Sequence, residues 1–453
     1  MTAPTITGSR LAELWSIVLE VPAASLRPEH DFMELGGYSL LMADMQARIK
    51  RSFGCVVSLR DLFEHSTLAG MTALLDSDRY ASAGPQATPL VRPDDNEVAE
   101  LSADQERIRF ADGLTDGSAT YNVPFVLKVP GRLDEGALRR AMHTIVTRHE
   151  ILRTTYPIID GRAMQVVHPP RELPVPLVER AELSTVELET EARRPFDLAE
   201  GPVIRCTLYR DGDGDTFMIV MHHIASDATS LTLLMRELTE AYAAAREGRE
   251  PVLPTLPLQY RQVAARQREA TRTAEHRRDL DYWADRLVGI TPLELPLDRP
   301  RPPVQTYRGG HAYGRIAADV VARVQAVARA HRVTDFMVVL AGLKAVLWRY
   351  SGQSDVAMAS ITSTRHQWDC DHLLGFFVNT LVLRTEVTRE LTFPELIRRV
   401  RDTSLSAYEH QDAPFDEVVR RVNPPQSGFF QGQLDIMHGS RTRRRSIGSL
   451  VVA

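Results

Sequence analysis

The stretch TFMIVMHHIASDATSLTLLMRELTEAYAAA, residues 216–245, decides the architecture. Its first part is a short apolar run of strand character. The part after Asp227 repeats its apolar residues at helical spacing. A strand that runs through a short polar joint into a long helix is α/β texture. The same alternation extends in both directions. VPFVLKV (123–129) precedes the helical pattern GALRRAMHTIVTRHEIL (136–152). Further on, the strongly helical FMVVLAGLKAVLWRYSG (336–352) precedes the strand-like FFVNTLVLRTEV (376–387). A charged stretch at 266–285 reads as a solvated helix bridging two lobes. The chain from 98 onward therefore divides into a first lobe, 98–270, and a second, 271–453.

The N-terminal part has a different texture. Leu11, Leu14, Trp15, Val18 and Leu19 recur at helical spacing, and a second helix begins near Ser39. A third lies around LRDLFEH (59–65), and a fourth follows the N-cap signal Ser66-Thr67. Four helices within residues 1–78 predict a compact all-α bundle. Residues 79–97, rich in Pro, Ala, Gly and polar side chains, read as a linker.

Composition excludes several classes. The 453 residues are 43% hydrophobic, enough for more than one core, and 25% charged with a net charge of −5. Nothing in that balance calls for nucleic acid or an anionic membrane. Arg441, Arg443, Arg444 and Arg445 form the one basic cluster and read as a solvated tail. Cys55, Cys206 and Cys370 are scattered and lack metal-ligand spacing, which suits a reducing cytoplasm. No apolar run is long enough to span a bilayer.

Two segments carry chemistry. In Asp31-Phe-Met-Glu-Leu-Gly-Gly-Tyr-Ser39 the paired glycines allow a tight turn, which delivers Ser39 to a helix N-terminus. Free N–H groups and the helix dipole favour a phosphate there. Ser39 is therefore either a plain N-cap or an acceptor for a phosphodiester-linked group. Leu40 and Met42 beyond it are either exposed docking contacts or core. In Met221-His222-His223-Ile-Ala-Ser-Asp227 the two imidazoles should have different surroundings, since adjacent strand residues point oppositely. Three readings compete: a metal site, a structural histidine pair, or acyl transfer in which one imidazole handles the proton of an attacking amine.

The first segment resembles the signature of acyl- and peptidyl-carrier domains. That resemblance implies 4′-phosphopantetheine attached to Ser39, although the family's usual His or Asp is Tyr38 here. The second resembles the HHxxxDG signature of condensation domains of nonribosomal peptide synthetases, which share the chloramphenicol acetyltransferase fold. Further segments match in the family's order: LSADQERIRF (101–110), RHEILRTTY (148–156), RPFDLAEGPVIR (194–205), YRGG (307–310), GFFVNTLVLR (375–384) and HQDAPFDEVV (410–419). The implied fold is a four-helix carrier followed by a two-lobed α/β domain. The implied activity is amide formation between a carrier-bound acyl thioester and an amine on a second carrier, with the two arms entering a tunnel between the lobes. The rivals are epimerisation of a carrier-bound aminoacyl group and a non-catalytic docking module.

Carried over residue by residue, His223 is the active-site histidine, His222 its structural neighbour and Asp227 the loop-organising aspartate. Arg365, or alternatively Arg148, is the salt-bridge partner of Asp227. Asn379 resembles a residue near the channel. The implied partners are a phosphopantetheinyl transferase, an adenylation enzyme acting in trans and a downstream acceptor carrier. Ala228 stands where the family has glycine, and Arg109 where it has an aromatic residue. The family continues well past the segment matching SGFFQGQLDIM (427–437), so the second lobe is expected to be shortened.

Overall fold

A computed structural model of the chain describes residues 6–80, 98–114, 119–212, 214–300, 314–365, 370–423 and 433–434. The linker beyond Tyr80, the YRGG segment and the arginine cluster lie outside the described residues, as does the side chain of Leu40. The chain divides into two units by contact. One comprises residues 1–90, 277–367 and 379–453; the other comprises 91–276 and 368–378.

The N-terminal bundle has four helices: α1 (Ile6–Leu19), α2 (Ser39–Phe53), α3 (Leu59–Glu64) and α4 (Leu68–Leu75). Their limits follow local chemistry. Ser58 and Thr67 cap α3 and α4 through side-chain oxygens, and α2 ends at Gly54 in the left-handed conformation. The core holds Leu11, Trp15, Phe32 and Met45, with Trp15 and Phe32 meeting edge to face at 5.2 Å. Met42 is fully buried in it, which corrects the exposed docking contact suggested by its place after Ser39.

The unit spanning 91–276 and 368–378 contains β1 (Val98–Glu100), α5 (Ala103–Leu114), β2 (Asn122–Pro130), α6 (Glu135–Arg148), β3 (Thr154–Thr155), β4 (Ile158–Ile159), β5 (Arg162–Val167), β6 (Leu177–Glu179), α7 (Thr185–Ala192), β7 (Ile204–Arg210), β8 (Gly214–His222), α8 (Ala228–Glu247) and α9 (Tyr260–Ala270). Its main sheet has the order β2-β8-β7-β6, with β8 antiparallel to both neighbours. A smaller sheet joins β1, β5 and β3, with β4 also paired to β5. The central strand β8 is buried on both faces, which explains its continuous apolar run. Phe217, Ile219 and Met221 enter the main core, while Met218 and Val220 join Tyr209 on the other face. Helices α6 and α8 pack together, and α8 begins at its cap Asp227 and ends at left-handed Gly248.

The remaining elements are α10 (Ala274–Leu287), α11 (Ala318–His331), α12 (Asp335–Ser351), β9 (Asp355–Ser363), β10 (Val378–Glu386), α13 (Phe393–Glu409), α14 (Phe415–Val422) and β11 (Gln433–Leu434). Strand β9 lies between β10 and β11. One apolar cluster contains the bundle core together with Met337, Leu381 and Val400 of this lobe. The charged stretch 266–285 is not one solvated helix. It breaks between α9 and α10, and Trp283 is buried, its Nε1 donating to the His410 carbonyl at 2.8 Å. The boundary between the units falls at His276/Arg277, inside α10.

Candidate active site and carrier serine

The histidine site is built at the end of β8. His222 is the last strand residue and His223 opens a single 3₁₀ turn, 223–225, that leads to α8. The two imidazoles differ in their surroundings. His222 is buried; its Nδ1 accepts the Ile224 N–H at 3.1 Å, so Nε2 carries the hydrogen, 3.5 Å from Asp112 Oδ1. Tyr121 and Phe196 flank its ring. His223 is half-buried, and its Nδ1 donates to the Ser226 carbonyl at 2.6 Å. That bond leaves Nε2 as the nitrogen free to accept a proton. Burial lowers the pKa of His223; the Ser226 carbonyl and the nearby Asp227 charge act in the opposite direction. The ring is therefore largely neutral near pH 7, the form a proton acceptor needs.

Asp227 braces the joint. Its Oδ1 accepts the Ser230 N–H at 2.7 Å, capping α8, and its Oδ2 accepts the Phe377 N–H at 3.2 Å. Ala228 is the exposed first residue of α8 and has no left-handed backbone, so the family's glycine is not required for conformation here.

The two arginines considered for Asp227 have different places. Arg148 ends α6 and pairs with Glu237 on α8, Nε to Oε2 at 3.1 Å. Its Nη2 also donates to the Pro254 carbonyl. The same Glu237 oxygen meets His149 Nε2 at 2.7 Å. Arg148 thus serves a buried cluster ten residues along α8 from the capping aspartate, a correction to its suggested role. Arg365 is buried just after β9, in the unit that does not contain Asp227. Asn379 ties the start of β10 to the loop before α14: its amide donates to Gln411 and Ala413 carbonyls, each at 2.8 Å, and its oxygen accepts the Phe415 N–H at 3.1 Å. Arg109 donates to the Tyr156 carbonyl at 3.2 Å.

The sequence reading missed Ser230, Tyr260 and Phe376. Ser230 and Tyr260 hold the backbone of residues 375–376, and the Phe376 ring stands 5.1 Å from the His223 ring. The only signal was that Phe376 lies in one of the matching segments, which says nothing of its neighbour.

Ser39 is the first residue of α2, one place after the cap Tyr38. The turn before it needs both glycines. Gly36 is left-handed at φ 101°, and a Cβ on Gly37 would come within 2.3 Å of the Phe32 ring. A hydroxyl on the first turn of a 15-residue helix fits a phosphodiester, whose oxygens meet free N–H groups there. In this arrangement the hydroxyl is covered. Ser39 is 2% exposed and donates to Thr334 Oγ1 at 3.1 Å, with the Tyr408 side chain close by.

The model of the condensation domain matches residues 95–438, and that of the phosphopantetheine attachment site matches residues 9–75. A linear gramicidin synthase chain of Brevibacillus parabrevis is 38% identical over 437 residues, covering 94% of this chain but 6% of that synthetase. Phosphinothricin tripeptide synthetase PhsB of Streptomyces viridochromogenes is 34% identical, covering 96% of this chain and 38% of its own length. The chain thus spans a small part of these relatives. Among solved structures, the X-domain from teicoplanin biosynthesis, also solved in complex with OxyB, superposes with a TM-score of 0.69 at 27% identity, covering 75% of this chain and 76% of that one. The first condensation domain of the CDA synthetase gives 0.59 at 21% identity, over 72% of this chain and 79% of that one, a likeness of fold. Carrier bundle, α/β domain and histidine joint therefore stand in one order: the chain belongs to the condensation-domain family, with a phosphopantetheine attachment domain ahead of it.

Proposed function

We propose that the chain forms an amide bond in nonribosomal peptide synthesis, with Ser39 as the attachment point of 4′-phosphopantetheine and His223 as the working imidazole. When bound, that group supplies a thiol that carries the acyl chain as a thioester. Amide formation would join a C–N bond to an amine from a second carrier as the C–S bond of that thioester breaks, with His223 taking up the amine proton that the departing sulfur receives. The observation that carries the reading is the His223 geometry: Nδ1 is committed to the Ser226 carbonyl, so Nε2 is available to hold the amine and take its proton. Asp227 and Ser226 fix that ring and the joint beneath it.

The partners follow from the chemistry. A phosphopantetheinyl transferase modifies Ser39, an adenylation enzyme activates the acid, and an acceptor carrier presents the amine. We place the protein in the cytoplasm, where its three buried cysteines, none in a disulfide, stay reduced; among the described residues no helix is long and apolar enough to cross a membrane. A second reading, recruitment without chemistry, draws on the teicoplanin X-domain being solved in complex with OxyB.

The test loads the full chain from an acyl-coenzyme A with a phosphopantetheinyl transferase and adds an aminoacyl pantetheine thioester. Intact mass should show the group on Ser39 and none on Ser39→Ala, and amide product should form. His223→Ala should load normally and lose at least tenfold in amide formation, within the ~10²–10⁴ range of general-base contributions. Equal product from His223→Ala defeats the catalytic reading, and a loaded wild-type chain that yields no amide favours recruitment.

A further inference from the structure

Residues 375–377 are pinned almost entirely by side chains. Ser230 Oγ accepts the Gly375 N–H at 3.0 Å and donates to the Gly375 carbonyl at 2.8 Å. The Tyr260 hydroxyl donates to the Phe376 carbonyl at 2.6 Å, and Asp227 Oδ2 accepts the Phe377 N–H. Packing closes around the same three residues. A Cβ on Gly375 would lie 2.2 Å from the Tyr260 ring, and Phe377 stands edge to face with that ring at 5.1 Å. Ser230, Tyr260, Phe376 and Phe377 are all buried. With four of its six backbone polar groups held by side chains, the segment is fixed in conformation, and its side chains are fixed with it.

The one ring this strap delivers to the histidine site belongs to Phe376. It meets the His223 imidazole edge to face, with centroids 5.1 Å apart and planes at 77°. Arg107 lies 5.9 Å from the Phe376 ring centroid. The Ser226 bond fixes one atom of the imidazole but leaves rotation about that contact; the aromatic neighbour limits that rotation and keeps water from that side.

We propose that Phe376 is a positioning residue for His223, and that the Tyr260 hydroxyl holds Phe376 in place. The role rests on His223 being the working imidazole, and it extends the duty of Asp227 from capping α8 to holding the strap. It also accounts for Gly375, since any larger residue would push the strap away from Tyr260.

The test uses the full loaded chain with Phe376→Leu, Phe376→Tyr and Tyr260→Phe. Two readouts are needed: the single-turnover amide rate against acceptor concentration, and the NMR titration of His223 in histidine-labelled protein, assigned by its loss in His223→Ala. The groups that bear on that titration are the Ser226 carbonyl, Asp227 and His222, all retained in each variant, as is Arg107 beside the Phe376 ring. Phe376→Leu should lower the maximal rate on the order of tenfold, less than the ~10²-fold that a full 1 Å misplacement costs. The half-saturating acceptor concentration should change little, and the His223 midpoint should rise as water reaches the ring. Phe376→Tyr should restore both, and Tyr260→Phe should fall between. Should Phe376→Leu fail to fold, Tyr260→Phe decides the matter. A wild-type rate in the folded variants, or a lower rate with an unmoved His223 titration, overturns the proposal. If the wild-type chain makes no amide, the catalytic reading fails on its own, and the titration still decides whether Phe376 positions the ring.

Discussion

A carboxylate and an ammonium show what single side chains do here. Asp227 uses both oxygens on backbone N–H groups, those of Ser230 and Phe377. Replacing it with Ala removes a helix cap, worth about 1 kcal/mol, and leaves a buried N–H unsatisfied at about 1–3 kcal/mol. Asp227→Ala should therefore lower the urea midpoint clearly, while Asp227→Asn, which keeps an acceptor for the cap, should lose less. Equal midpoints for wild type and Asp227→Ala would show that the bracing is unimportant. Lys344 on α12 is fully buried, and its Nζ donates to the Val356 and Leu383 carbonyls at 2.7 and 2.6 Å. Burial pulls its pKa down to about 7. Between that value and the ordinary lysine range the unfolded chain binds the extra proton, so this group's contribution to stability rises with pH across that window. The gain of wild type over Lys344→Met should grow by on the order of 1 kcal/mol per pH unit from pH 7 to 9. Denaturant midpoints of the two proteins at several pH values check it, and a constant difference would mean that Lys344 keeps its charge in the fold.

At the scale of elements, the turn into α2 is the most exacting feature of the bundle. Gly37 sits where a Cβ would strike the Phe32 ring at 2.3 Å and the Phe32 carbonyl at 2.5 Å. Gly37→Ala must shift Phe32, itself packed on Trp15, at a cost of about 1–3 kcal/mol. The variant should melt earlier and load Ser39 more slowly by intact-mass time course; normal loading at normal stability would mean that the turn adapts. These local features were legible because glycine, cap and apolar spacing act within a few residues. The four bundle helices, β8 running into α8, and the different surroundings of the two histidines could all be read from adjacent positions. The strap could not. Ser230 meets Gly375 across 145 positions and Tyr260 meets Phe376 across 116, and no periodicity encodes such pairings. The pairing of Arg148, the second candidate for Asp227, is hidden for the same reason: its partner Glu237 is one acidic residue among many on the sequence, and only the packing of α6 on α8 selects it.

At the scale of the molecule, the bundle shares a contact unit and an apolar cluster with the second lobe, and that union covers Ser39, the serine proposed for modification. Ser39 lies against Thr334 and Tyr408, while two ion pairs join α3 to α13: Arg60 with Asp402 at 3.2 Å and Arg401 with Glu64 at 3.4 Å. A transferase needs the hydroxyl in the open, so loading requires the bundle to leave this contact, and its rate follows the fraction of time spent apart. The Arg60–Asp402 pair is about half exposed on both sides and holds the contact by no more than about 1 kcal/mol. Arg60→Glu turns that attraction into repulsion and should speed loading about two- to fivefold at low salt. Asp402→Arg should act alike, and the double exchange should return the rate towards wild type because the pair is restored with its charges swapped. Raising the salt should narrow the spread among the four proteins, since exposed charges are screened. Initial rates of mass gain at fixed transferase and coenzyme A measure all of this. Single reversals that load no faster than wild type would show that the covered serine is not what limits its modification.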